Sequence, residues 1–169
     1  MITADEHRER AGLKIRVAVL ADGGEMIAAN NSRIACETEG RVLDSKTVRD
    51  GTLSVLEDPA NGWYLVAEYN DTVAAQCLIT LEWSDWRNGH CWWIQSVYVV
   101  PEFRRKGIFS AMYAWISAEA CNCPDVVGLR LYVEQDNLPA HETYRSLGMK
   151  RTPYVMYEDI FQENDKEAE

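Results

Sequence analysis

The sequence has few positive charges and no long apolar run. Of its 169 residues, 17 are lysine or arginine and 27 are aspartate or glutamate, which gives a net charge of -10 at pH 7. Such a surface repels phosphate backbones, which argues against nucleic acid as a partner. No apolar run approaches the ~18 residues that span a membrane, and residues 1–10 lack the apolar segment of a secretory signal. We therefore expect a cytoplasmic protein that binds neither nucleic acid nor a membrane.

The sequence also lacks metal-binding and nucleotide-binding motifs. Its five cysteines are an odd number without the paired spacing of a zinc site, and Cys121 and Cys123 stand too far from other ligands. In a reducing compartment we expect the cysteines to be small buried side chains, and we expect no metal. Neither G-x-x-x-x-G-K-S/T nor G-x-G-x-x-G occurs, which argues against a P-loop and a dinucleotide-binding turn.

The pattern of apolar residues alternates between strand and helix periods. This alternation predicts an α/β fold, and the length predicts a single domain over residues 1–169, ordered at about 14–158. The predicted strands are 14–19, 63–68, 72–82, 91–100, 126–133 and 150–158, and the predicted helices are 22–35, 45–57, 108–121 and 137–148.

The dipeptide Asn88-Gly89 lies between two aromatic-rich strands and predicts a β-hairpin. If these two residues form the whole loop, Glu82 pairs with Gln95. Their side chains then share one face of the sheet with Trp93 and Val97.

The segment from Val97 to Phe109 places a strand, a basic turn and the start of a helix in succession. Backbone N–H groups at such a junction point outward, and the helix dipole adds positive potential. Arg104, Arg105 and Lys106 add three cations. A pyrophosphate matches this combination, while the alternative is an exposed charged turn.

Two motifs in this sequence resemble those of the GCN5-related N-acetyltransferase (GNAT) superfamily. The residues from Arg104 to Ile108, following the strand that ends at Pro101, resemble motif A, Q/R-x-x-G-x-G/A. Downstream, the spacing N-x-x-A-x-x-x-Y-x-x-x-G of motif B is matched by Asn137, Ala140, Tyr144 and Gly148. The resemblance extends over about residues 14–158 and implies a mixed, splayed central β-sheet flanked by helices.

The resemblance implies that acetyl-CoA is the acyl donor. The backbone of Val97 and Val99 is expected to bind the pantetheine arm and polarise the thioester carbonyl. The turn is expected to bind the pyrophosphate, and Asn137 is assigned to the same site. The turn residues are Arg104, Arg105, Lys106, Gly107, Ile108 and Phe109. Because the family usually has Gly or Ala where this chain has Phe109, the ring must point away from the donor.

Aminolysis of a thioester needs a neutral amine, stabilisation of the oxyanion and a proton for the departing thiolate. The Val97 N–H is expected to stabilise the oxyanion. The resemblance makes Tyr144 the general acid, the alternative being a core tyrosine. Glu82 is the expected general base; the alternatives are that it is an exposed strand-end carboxylate or that Glu134 is the base.

The expected reaction is acetyl transfer from acetyl-CoA to a primary amine of a small cationic molecule, by direct attack through a tetrahedral intermediate. Tryptophans at the hairpin, together with Glu37 and Glu39 after the first helix, suit a cationic amine, because aromatic rings and carboxylates both attract cations. Core or dimer packing would also use these tryptophans (Trp83, Trp86, Trp92 and Trp93). The alternatives are a peptide or protein amino group as acceptor, or a non-catalytic acyl-CoA-binding module. A homodimer is a further expectation.

Overall fold

A computed structural model describes residues 9–10, 12–22, 24–161 and 166–167. The strands are β1 Glu9–Arg10, β2 Leu13–Val17, β3 Arg41–Val42, β4 Trp63–Tyr69, β5 Thr72–Ser84, β6 Gly89–Val99, β7 Val126–Arg130 and β8 Lys166–Glu167. The α-helices are α1 Gly24–Ile34, α2 Ser45–Glu57, α3 Ile108–Asn122 and α4 Leu138–Ser146. A π-helical turn, Ala35–Glu39, continues α1.

The central sheet is mixed, with strand order β1-β2-β4-β5-β6-β7, while β3 and β8 form a separate two-stranded sheet. Neighbouring strands from β1 to β6 run antiparallel, and β6 and β7 run parallel. The turn between β4 and β5 is Asn70-Asp71, with φ of 48° and 61°, as a two-residue hairpin requires. Helix α3 supplies the crossover that the parallel pair needs. The predicted fold class, an α/β fold with a mixed sheet flanked by helices, is confirmed.

Helices cover both faces of this sheet. On one face Met112 and Ile116 of α3 are fully buried against Leu65 and Ile79 of the sheet. On the other face α1 and α2 pack over β4, where Ile27 lies against Tyr64. Helix α2 begins where its prediction placed it because the Asp44 side chain accepts a hydrogen bond from the Thr47 N–H, at 3.4 Å.

A bulge in β6 opens the sheet. Gln76 pairs with Tyr98 but Leu78 pairs with Gln95, so Ser96 and Val97 together face a single residue of β5. Ser96 has φ of 47°, a conformation that bends the strand. On the other side of β6 the pairing with β7 ends at Trp93 and Arg130. Strand β7 ends there, so within the described residues no strand pairs with this side of β6 along the part that contains the bulge.

The predicted register of the β5–β6 hairpin is wrong. Ser84 pairs with Gly89, so Glu82 faces Cys91 instead of Gln95. Gly89 is not a turn residue, as the dipeptide Asn88-Gly89 had indicated, but the first residue of β6. A Cβ there would lie 2.4 Å from Val127 Cγ1 and 2.8 Å from the Asp125 carbonyl oxygen. The glycine therefore permits the close approach of the chain that leads into β7.

The strand predicted over residues 150–158 is also wrong, because this part of the chain has no regular secondary structure and is exposed. Pro153 interrupts the predicted strand and cannot donate to a strand ladder. The large apolar side chains that suggested a strand, and those that follow it, are exposed: Tyr154, Val155, Met156, Tyr157, Ile160 and Phe161.

Candidate active site

The cofactor-side cavity, which we call the donor cavity, lies between the end of β6, the following turn and α4. It has a volume of about 710 Å³, within the usual range of small-molecule sites. Most of the residues that the sequence assigns to acetyl-CoA line it: Val97, Val99, Arg104, Arg105, Gly107, Ile108, Phe109 and Asn137. The proposed general acid Tyr144 lines it as well. Motif A and motif B therefore meet at one cavity.

The turn before α3 presents a row of backbone donors. Arg105 and Gly107 have φ of 62° and 75°, and the left-handed conformations turn the chain sharply into the helix. Within the described parts of the chain, the N–H groups of residues 105–110 donate to no backbone carbonyl. Such a run of donors at a helix start fits a pyrophosphate.

The three cations of the turn have different surroundings. The Arg104 guanidinium pairs with Glu37 at 2.6 Å and donates from Nε to the Val99 carbonyl at 2.9 Å. The Lys106 Nζ lies 5.1 Å from the ring centroid of Phe103 and does not line the donor cavity. Arg105 lines the cavity and forms no ion pair with any carboxylate in the described ranges. Arg105 is therefore the cation best placed for a phosphate.

Helix α4 holds Tyr144 over the donor cavity. The Asn137 side chain caps this helix by accepting a hydrogen bond from the Ala140 N–H at 3.2 Å. The ring of Phe109 is buried and meets the Tyr144 ring edge-on, with centroids 5.8 Å apart. Burial raises the pKa of Tyr144 above its ordinary value.

A second cavity, which we call the acceptor cavity, adjoins the first. It has a volume of about 700 Å³ and lies between α1, α2 and the sheet. The two cavities share the residues Ile34, Thr38, Val97, Glu134, Asn137 and Tyr144, so they meet at the bulge. The acceptor cavity is lined mainly by aliphatic and aromatic side chains with the carboxylates of Glu39 and Glu134, and no lysine or arginine of the described chain lines it.

Glu82 lies away from both cavities. Its carboxylate accepts hydrogen bonds from Arg130 Nη1, at 2.7 Å, and from the Trp93 indole N–H. Val97 is six residues further along β6 than Cys91, the partner of Glu82, which is about 20 Å at ~3.3 Å per residue. The structure does not bring Glu82 together with Tyr144, and the geometric basis of its predicted role as base is lost.

The hairpin tryptophans also lie outside the two cavities. Trp92 is buried in the core and meets Trp63 edge-on, while Trp86 is 84% exposed at the loop. Of the two predicted acceptor carboxylates, Glu39 lines the acceptor cavity and Glu37 pairs with Arg104 in the donor cavity.

No sequence pattern indicated the residues of α1, α2 and β4 that line the acceptor cavity, among them Asn31, Thr52 and Tyr64. They belong to no motif, and only the packing of the two helices on the sheet brings them together. In the described ranges no cluster of three or more metal-ligating side chains occurs, and no helix there is long and apolar enough to cross a bilayer.

The profile of the Acetyltransferase (GNAT) family matches residues 29–149, which include the bulge, the basic turn and α4. The chain belongs to this family. The enzyme is an acetyl-CoA-dependent N-acetyltransferase, as the two motifs predicted. No curated protein matches the sequence.

Solved structures share the fold of this chain. The crystal structure of a possible acetyltransferase from Clostridium difficile 630 is 44% identical, with a TM-score of 0.81 over 89% of this chain and 99% of that chain. A predicted acetyltransferase from Clostridium acetobutylicum, solved with acetyl-CoA, shares the fold at 17% identity and a TM-score of 0.69, over 87% of this chain and 96% of that one. An aminoglycoside N-acetyltransferase in complex with CoA shares it at 11% identity and a TM-score of 0.69, over 91% and 98%.

Proposed function

We propose that this GNAT acetyltransferase transfers the acetyl group of acetyl-CoA to a primary amine of a small cationic molecule. The observation that carries the proposal is the junction of the two cavities at Val97 and Tyr144. Acetyl-CoA enters the donor cavity, and the amine enters the acceptor cavity from the other side of the bulge. The thioester and the amine then meet at the bulge, where direct attack gives a tetrahedral intermediate.

Within the turn 104–109, residues 105–109 bind the pyrophosphate of acetyl-CoA through backbone N–H groups, since the Arg104 N–H donates to the Pro101 carbonyl at 3.2 Å, and the Arg105 side chain is the nearby cation. The pantetheine arm lies along Val97 and Val99, on the part of β6 that lies beyond its pairing with β7. The buried Phe109 ring packs toward Tyr144, so its bulk supports α4 and leaves the backbone of the turn accessible.

Two groups at the junction stabilise charge as the reaction proceeds. The bulge takes Ser96 and Val97 out of the regular strand register, and we assign the Val97 N–H to the oxyanion of the tetrahedral intermediate. Tyr144 then donates its phenolic proton to the sulfur of the departing thiolate. Because burial raises the Tyr144 pKa, the protonated acid persists to higher pH than for an exposed tyrosine.

Glu134 replaces Glu82 as the proposed base. Its side chain lines both cavities, and its Oε2 accepts a hydrogen bond from the Asp136 N–H at 2.8 Å, which fixes the carboxylate at the junction. An alkylamine has a pKa of about 10.4 and must lose a proton before it attacks. Glu134 accepts this proton, directly or through a water molecule.

The charge of the acceptor cavity supports a cationic acceptor. Its charged side chains are the carboxylates of Glu39 and Glu134, and the whole protein carries a net charge of -10. A cation is attracted to such a surface, and it loses its charge only on proton transfer at the junction.

The decisive experiment compares the native enzyme with Tyr144→Phe in an assay of thiol release from acetyl-CoA with a panel of amines. We expect kcat to fall about 10²-fold while the dissociation constant of acetyl-CoA is unchanged, because the hydroxyl acts on the leaving group only. Thiol release that is absent from the native protein with every amine, despite acetyl-CoA binding, would instead indicate an acyl-CoA-binding module.

We further propose a cytoplasmic homodimer. Six large apolar side chains between Tyr154 and Phe161 are 51% to 92% exposed, and burial against a second copy would remove them from water. Light scattering of the native protein and of a chain that ends at residue 153 tests the dimer. A monomeric native protein contradicts it.

A further inference from the structure

A buried polar network lies beneath the acceptor cavity. Gln76 of β5 is fully buried and accepts a hydrogen bond from Asn30 at 2.8 Å. Its own amide donates to Asn31 Oδ1 at 3.0 Å, and Asn31 Nδ2 donates to the Tyr64 hydroxyl at 2.9 Å and to Thr52 Oγ1 at 3.4 Å. Polar side chains at such positions are costly unless each partner is satisfied.

A backbone carbonyl fixes the direction of every hydrogen bond in this network. Gln76 Nε2 also donates to the carbonyl oxygen of Ile27, at 3.3 Å, and a carbonyl can only accept. The atom of Asn31 that faces Gln76 must therefore be its oxygen. The Asn31 amide nitrogen consequently faces the two hydroxyls, so both of them act as acceptors toward Asn31.

Each hydroxyl therefore still has its own hydrogen to donate. Within the described residues, neither the Tyr64 nor the Thr52 hydroxyl donates to any acceptor. The Ser54 hydroxyl, in the same helix α2 as Thr52, is different because it donates to the Asp50 carbonyl one turn earlier, at 2.9 Å. Tyr64 is 3% and Thr52 2% exposed, and both line the acceptor cavity. The cavity thus has a floor with two oriented O–H donors.

This floor lies at a definite distance from the bulge. Tyr64 pairs with Leu78, and Leu78 pairs with Gln95, so the three side chains form one row on one face of the sheet. The row crosses two strand spacings, about 10 Å. Gln95 is next to the bulge in sequence, so a molecule of that length reaches from the bulge to the floor.

We propose that Tyr64 and Thr52 determine acceptor specificity by donating hydrogen bonds to an uncharged oxygen at the end of the acceptor opposite its amine. This inference rests on the proposed function. The oxygen belongs to a hydroxyl, ether or carbonyl group, because a carboxylate or phosphate would lie among Glu39 and Glu134 without a lysine or arginine of the described chain to pair with it. The aliphatic walls contact the apolar chain between amine and oxygen.

The test uses three acceptors that differ at one end: aminohexanol, hexylamine and aminohexanoate. We expect kcat/KM of the native enzyme for aminohexanol to exceed that for hexylamine about 25-fold, which is about fivefold for each of the two neutral hydrogen bonds, and aminohexanoate to be the poorest. Equal values for aminohexanol and hexylamine, or a preference for aminohexanoate, would overturn the proposal.

Variants locate the effect. Tyr64→Phe and Thr52→Val should each lower the ratio of kcat/KM for aminohexanol to that for hexylamine about fivefold, and the double variant should bring it close to one, whereas the control Ser54→Ala should preserve it. The ratio is measured within one preparation, so it does not depend on how much of a variant is folded. An unchanged ratio in both variants overturns the role of the two hydroxyls.

The same experiment separates failure of this inference from failure of the proposed function. If the native protein binds acetyl-CoA and acetylates other amines but none of the three, the acceptor class is wrong and the transfer reaction stands. If acetyl-CoA is not bound at all, the proposed function fails, and the inference fails with it.

Discussion

At the scale of single residues, Glu82 and Glu134 differ in what their carboxylates contact. The Trp93 N–H, together with Arg130, lowers the pKa of Glu82, and a lower pKa makes a weaker base. Glu134 lies at the junction of the two cavities, where both substrates meet in our proposal. The surroundings of each carboxylate are therefore the reason that we propose Glu134, and not Glu82, as the base.

Replacing each glutamate by glutamine tests this distinction. Glu134→Gln should lower kcat about 10²-fold with little change in the dissociation constant of acetyl-CoA, because a base is lost while the shape is kept. Glu82→Gln, the matched control, should retain nearly native turnover, since it loses one half-exposed ion pair. Steady-state kinetics of the two variants measure both effects, and the reverse pattern would restore Glu82 as the base.

The residues of the donor cavity were predictable because two motifs place them. Tyr144 and Val97 lie far apart in the sequence, yet the resemblance assigned both, and both line the donor cavity. The acceptor side has no such motif. Asn31, Thr52 and Tyr64 come from three different elements. Their spacing in the sequence does not indicate that the Asn31 amide donates hydrogen bonds to the other two side chains.

At the scale of elements, the side chain that caps α4 helps to hold the helix that carries the proposed general acid. The Asn137 side chain satisfies the N–H of Ala140, and the helix that it starts carries Tyr144. A helix of nine residues is short, so its first turn contributes much of its order.

Asn137→Ala should therefore lower the free energy of unfolding by about 1 kcal/mol, the usual value of an N-cap. Asn137→Asp should stay close to the native stability, because a carboxylate caps as well as an amide. Urea unfolding curves of both variants give the comparison. Equal stability of the alanine and aspartate variants would show that the cap contributes nothing.

Most element boundaries followed from periodicity and caps, and the exceptions have physical reasons. The hairpin loop was misplaced because Gly89 is required by the close approach of Asp125 and Val127 instead of by the turn. The bulge was not predicted because Ser96 has no sequence preference for its φ of 47°. The prediction of a strand over residues 150–158 was wrong because Pro153 lies within that range and cannot donate to a strand ladder.

At the scale of the whole molecule, the buried thiol of Cys77 ties stability to pH. A thiol in an unfolded chain titrates near 8.5, whereas burial raises the pKa of Cys77 to about 12. The folded protein therefore holds this proton to a higher pH than the unfolded chain. The contribution to stability is complete below about pH 8.5 and is lost as the pH rises toward 12.

We expect the free energy of unfolding of the native protein to fall more steeply between about pH 8.5 and about pH 10 than that of Cys77→Ala. Urea unfolding at the two pH values measures the difference, with Cys36→Ala, an exposed site, as the control. Parallel curves for native protein and Cys77→Ala would mean that the thiol ionises in the folded protein.

The most direct test of acetyl-CoA binding in the donor cavity is thermal unfolding with and without acetyl-CoA, with free CoA and ATP as controls. A ligand at about 100 times its dissociation constant adds about 2.7 kcal/mol to the free energy of unfolding, which is several degrees for a domain of this size. We predict a clear shift with acetyl-CoA that ATP does not reproduce. No shift at millimolar acetyl-CoA would mean that the donor cavity does not bind the acyl donor, and the proposed reaction would be contradicted.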